Sequence, residues 1–81
     1  HEYANRPTHT LHLRVNMGLM EATYDCASVY VDVPVEMSDE EAMQEVRSRL
    51  YDAGIRVLSF EEIPPGGEAR CRESFSSMDL R

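Results

Sequence analysis

ASVYVDVPVEMSDEEAMQEVRSRLYDAG, residues 27–54, decides the fold, because the hydrophobic period changes inside it. Ala27, Val29, Val31, Val33 and Val35 alternate with Ser28, Tyr30 and Asp32. A period of two with one polar face describes a half-buried strand, and the β-branched density suits one. Pro34 lacks a backbone donor and predicts the end of the ladder. Further on, Ser38 precedes Asp39, Glu40 and Glu41. Serine at the cap with glutamate three positions later is a capping box, and acids complement the positive end of a helix dipole. Ala42, Val46, Leu50 and Ala53 then recur at helical spacing with Met43 beside them, and Gly54 supplies a left-handed cap. The spacing predicts a helix over 39–53. Its outer face is assigned Glu40, Glu41, Gln44, Glu45 and Arg47, with Glu45 and Arg49 in the favourable order for an i,i+4 pair.

Upstream of this stretch, Leu11, Leu13, Val15 and Met17 alternate with His12, Arg14 and Asn16. A first strand is predicted there, turning at 18–21 into an antiparallel hairpin with the second. Downstream, Ile55–Ile63 reads as a third strand, with Val57, Leu58 and Phe60 dense enough to be buried. A helical crossover makes the second and third strands parallel, with a right-handed connection and the first strand between them, in the order 2-1-3. Pro64-Pro65-Gly66-Gly67 breaks the chain. Residues 68–81 alternate weakly through Ala69, Cys71 and Phe75 and leave two readings, a short fourth strand returning from a hairpin and a mobile tail. Residues 1–8 read as a flexible lead-in and 9–63 as a single domain. The fold class is α+β: two layers, a three- or four-stranded mixed sheet covered by one main helix.

Composition narrows the function. With 81 residues the chain holds one domain and no deep internal chamber. No window approaches the ~20 apolar residues of a membrane span. Fifteen acids against eight basic residues, all arginine, leave a net charge of −7. That sign opposes a broad phosphate-binding surface, makes nucleic acid an unlikely partner and favours a basic protein. No basic start followed by an apolar run marks a signal peptide. Because the chain starts at His1 rather than Met, a leader removed earlier stays compatible with it. Cys26 and Cys71 are too few for a disulfide scaffold or a structural zinc site. One bridge between them is open, but the expectation is reduced packing residues and a cytoplasmic location.

No reactive constellation emerges. His9 and His12 point to opposite faces of a strand and lack a third ligand, so no metal is expected. Either cysteine with either histidine would lack an oxyanion donor and an orienting group. Asp39-Glu40-Glu41 and Glu61-Glu62 would need a pocket that shifts their pKa, and capping and solvation account for them. Pro65-Gly66-Gly67 is too short for a phosphate loop. No catalytic residue and no cofactor are therefore assigned. Met17 and Met43 fall on core faces; Met20 and Met37 fall in turns, available to a partner. Tyr30 lies on the polar sheet face with Arg14 placed across from it, which suits a protein contact or RNA stacking.

Two strands, an acid-capped helix after the Val33-Pro34 step and a third strand form an order that resembles antitoxins of the HicB type. The Asp-Gly-Gly-Tyr hairpin and Pro-Gly-Cys strand end of that family are absent here, so no residue role is carried over. Eight arginines without lysine are compatible with a GC-rich bacterial or phage genome. The expected function is a small acidic, non-enzymatic protein-binding module, an inhibitor or regulatory subunit acting on a basic or nucleic-acid-binding partner. Its alternatives are antitoxin-like neutralisation of a basic toxin and weak RNA binding through the open sheet face. Two surfaces compete for the partner. One is Asp39, Glu40, Glu41 and Glu45, in a region (36–62) that carries −5. The other is the sheet face with Arg14 and Tyr30, where exposed edges also favour a homodimer. Far-UV circular dichroism should show helix and strand together; a mainly helical spectrum would exclude this reading.

Overall fold

The computed structural model describes residues 6–18 and 24–81. Its elements are β1 (Thr8–Gly18), β2 (Tyr24–Pro34), α1 (Asp39–Asp52), β3 (Val57–Glu62), β4 (Glu73–Ser74) and β5 (Met78–Asp79). They form an α+β fold with one mixed sheet in the order β3-β1-β2-β4, and β5 also pairs with β2. β1 and β2 run antiparallel from Thr8↔Pro34 to Gly18↔Tyr24. β3 runs antiparallel to β1 on its other side, so the predicted order 2-1-3 holds. Residues 1–5 of the predicted lead-in, and the turn expected beyond Gly18 with Met20, lie outside the described residues.

Period two sends Leu11, Leu13, Val15, Val29, Val31 and Val33 to one face, where Ala42, Val46 and Leu50 of α1 meet them in a single core. The capping box forms as read: Ser38 Oγ accepts from the Glu41 N–H (3.1 Å) and Glu41 Oε1 accepts from the Ser38 N–H (3.2 Å). Four expectations about side chains change. Val35 is exposed, because β2 ends at Pro34 and a turn begins. Met37 in that turn packs against the core instead of facing a partner. Ala53 is the exposed C-cap of α1, and Gly54 follows at φ +85°. Arg47 leaves the outer face: its Nη1 donates to the Val57 carbonyl at 2.7 Å, and its guanidinium lies 5.4 Å from the Phe60 ring centroid.

The face of the sheet away from α1 carries the even-numbered residues of β1 and β2, and it is covered in part. After β3 the chain does not return as a hairpin. Residues 63–72 cross from the β3 edge to the β2 edge, and the only face free for that crossing is the one α1 leaves bare. Three strand spacings are ~14 Å, well inside the reach of a ten-residue segment. Two consecutive prolines without N–H groups cannot extend a ladder, so the chain leaves the edge at Pro64. Ile63 and Ala69 are buried on the strap. Cys26, on this face of β2, is disulfide-bonded to Cys71 at its far end. That bond corrects the reading of both cysteines as reduced packing residues, since the crossing brings together two side chains 45 positions apart.

Beyond the strap, β4 and β5 pair in parallel with β2 through Ala27↔Glu73, Ser28↔Ser74, Val31↔Met78 and Asp32↔Asp79. Leu80 then turns into the core, and Arg49 of α1 donates to the Asp79 carbonyl at 3.3 Å. Side-chain and backbone hydrogen bonds from Arg81 hold the Asp79 carboxyl at about 2, against an ordinary 3.8. A folded-state value below the unfolded one adds stability above the unfolded value and loses it as pH falls through the folded one. The Asp79 carboxyl should therefore titrate with a midpoint near 2 by NMR. Asp79→Asn should remove its contribution to acid unfolding in that window.

In chemical denaturation Leu50→Ala should cost about 2–5 kcal/mol, the range for a truncated buried leucine. Reducing the Cys26–Cys71 bond, which closes a loop of 45 positions, should cost about 4 kcal/mol on the chain-entropy model.

Candidate functional site

The acids expected to meet a partner have unequal freedom. His9 Nε2 lies 3.3 Å from Asp39 Oδ1. Glu41 is committed to the capping box. Glu45 Oε1 accepts from Arg49 Nε at 3.2 Å, the predicted i,i+4 pair. Glu40 has no ion-pair partner among the described residues and stands exposed on the first turn of α1.

On the opposite face the predicted pairing shifts. Tyr30 stands across from His12, and the two rings stack with centroids 4.2 Å apart and planes 12° from parallel. Arg14 stands across from Ser28, and its Nη1 bonds Glu61 Oε2 of β3 at 3.1 Å. Its Nε is buried without a hydrogen-bond partner among the described residues. Alternation determines which face a residue takes and leaves register to the connection, so the face was right and the Arg14–Tyr30 pairing was not. Tyr30 remains 54% exposed beside a cleft of about 440 Å³ walled by the strap at Pro64 and Pro65. The sheet face is thus not open throughout; Ile63, the Pro-Gly turn and the disulfide cover part of it.

A second concavity lies between α1 and the β3 edge. Glu40, Met43, Gln44 and Arg47 recur at helical spacing along one flank of α1, facing Leu58, Ser59 and Phe60 across a groove of about 360 Å³. Met43 and Phe60 are half-buried against the core and form its apolar floor. Leu58 is 43% exposed. It is displaced by a register shift between Asn16 and Met17, which pairs Met17 with Val57 and leaves Leu58 unmatched. Gly18 lies under it, where an added Cβ would approach Leu58 Cδ2 to 3.1 Å. The adjacent pair Val57-Leu58 held the clue, because neighbours in a strand cannot both face the core. Arg47 is satisfied inside the protein, so the groove keeps Glu40 as its unpaired charge.

Among the described residues no three His, Cys, Asp or Glu side chains converge on a metal position. Cys26 and Cys71, being bonded to each other, present no thiolate. No helix among the described residues is long and apolar enough to cross a membrane. No protein-family model, curated protein or solved structure matches the chain. Ser38→Ala should lower stability by about 1 kcal/mol through loss of the cap. Glu40→Arg touches no side-chain partner among the described residues but puts a positive charge at the positive end of α1, so it should cost up to about 1 kcal/mol. Thermal and urea unfolding of both variants checks this.

Proposed function

We propose that the chain is a small, non-enzymatic protein-binding module that docks a basic partner in the groove between α1 and β3. One observation carries the reading: an apolar floor of Met43 and Phe60, with exposed Leu58, lies beside the unpaired Glu40 in a region of net charge −5. Apolar area supplies affinity, and the surplus of acid steers an oppositely charged surface and rejects acidic ones. An inhibitor or regulatory subunit is the role this chemistry suits, and neutralising a basic toxin is one form of it. The RNA reading loses support, because the strap covers part of the sheet face and Tyr30 is stacked on His12. Self-association is a weaker reading, since two copies of this flank repel. The disulfide favours an oxidising compartment over the cytoplasm expected from the cysteine count.

The test is a partner captured from the native host and then measured with purified protein. Glu40→Arg combined with Met43→Arg should weaken binding at least about tenfold, which is ~1.4 kcal/mol. Affinity for the parent should fall as salt rises, because the attraction is screened. An unchanged affinity in the double variant removes the groove from consideration.

A further inference from the structure

β3 is an edge strand: among the described residues only β1 pairs with it. The Ile63 N–H donates to the His12 carbonyl at 2.8 Å. Antiparallel pairing alternates, so Ser59 and Glu61 also turn their backbone groups to β1, while Phe60 and Glu62 turn theirs outward. Outward N–H and C=O groups are a template for a further strand. The opposite edge offers no such run, because β4 and β5 hold two residues each with an unpaired interval between them.

The side chains agree with this template. Phe60 and Glu62 stand opposite Val15 and Leu13, so they lie on the α1 side of the sheet. A strand added to β3 would place every second side chain on that side, over the floor made by Met43 and Phe60 and near Glu40. Its other side chains would lie beside Ser59 and Glu61.

We propose that the groove and the β3 edge form one site, which takes an extended segment of a partner protein as an additional strand. The segment alternates apolar with basic residues. This rests on the reading of the groove as a protein-docking site and adds how the partner is held. Charge selects the occupant. A second copy paired edge to edge would bring two regions of charge −5 together, and that repulsion disfavours the pair. A segment whose apolar side chains cover Met43 and Phe60 instead brings its arginine or lysine side chains to the other side, beside Glu61, within the field of a region that carries −5. Arg47 opposes this little, because the Val57 carbonyl and the Phe60 ring already hold its guanidinium.

The probe is a capped synthetic peptide of about eight residues alternating valine and arginine, a typical strand length. Two isomers of it are N-methylated on alternate residues, one on each edge, leaving charge and side chains unchanged. Binding to the intact, oxidised protein is followed by amide chemical shifts and by titration. The parent peptide should bind and shift the amides of Phe60 and Glu62. One methylated isomer should lose about tenfold or more and the other should keep its affinity, because a strand pairs through one edge only. If both isomers bind like the parent, while Glu40→Arg with Met43→Arg still weakens binding, the groove docks a partner and strand addition is wrong. If the parent peptide does not bind, or the double variant binds it unchanged, the groove reading fails and this proposal with it. A dimer in sedimentation that shifts the same amides without peptide would overturn the choice of occupant.

Discussion

One helix can shield one face of a sheet, and the described residues hold one helix. The α1 face is settled by Ala42, Val46 and Leu50 against the leucines and valines of β1 and β2. With Ala42 buried against the sheet, the flank of α1 that carries Glu40 and Met43 lies beside β3. Among the described residues no second helix covers the opposite face. The ten residues after β3 do that work with Ile63, Ala69 and a covalent bond. Because they cross the whole sheet, the last strands arrive at the β2 edge and leave β3 as the edge still free to pair.

The same constraint organises the charge. A thin domain keeps nearly every ionisable group near water, where ion pairs contribute little stability. Here they fasten segments to one another. Arg6 holds Glu36 at 3.0 Å, Arg14 holds Glu61, and Arg49 reaches Glu45 and the Asp79 carbonyl. Arginine suits such posts because its planar fork serves two acceptors at once. Acids outnumber arginines by seven, so the surplus remains exposed, and much of it lies near α1 and β3.

Much of the fold was legible because it rests on local rules. The valine alternation gave the faces of β1 and β2, and Ser38 with Glu41 gave the start of α1 to the residue. The placement of β1 between β2 and β3 followed from a hairpin and a crossover. What stayed hidden depends on where distant segments meet. Pro64-Pro65-Gly66-Gly67 announces a break without giving its direction, so the strap, the disulfide and the parallel pairing of β4 and β5 were out of reach. The candidate site was half legible. Glu40 was named with three other acids; the capping box and the i,i+4 spacing already gave partners to Glu41 and Glu45, whereas the contact of His9 with Asp39, 30 positions apart, left no local sign. Arg47 fell on a polar stripe by periodicity, yet its long stem lets the guanidinium reach back to Phe60. Leu58 was counted as core, although a strand cannot bury it together with Val57.

The bridge between Cys26 and Cys71 has a kinetic side as well. Most of the pairings that hold these thiols together span long sequence separations, and such folds form slowly. The native contacts of β2, α1, β3 and the strap bring the thiols together, so assembly promotes oxidation and the bond in turn holds the assembled state. With two cysteines there is one possible intramolecular pairing, and no scrambled isomer exists to trap the chain. The one competing outcome is a bond between two chains, which dilution suppresses. Refolding yield should therefore be governed by protein concentration and oxidant supply, with no isomerase needed to sort the bond.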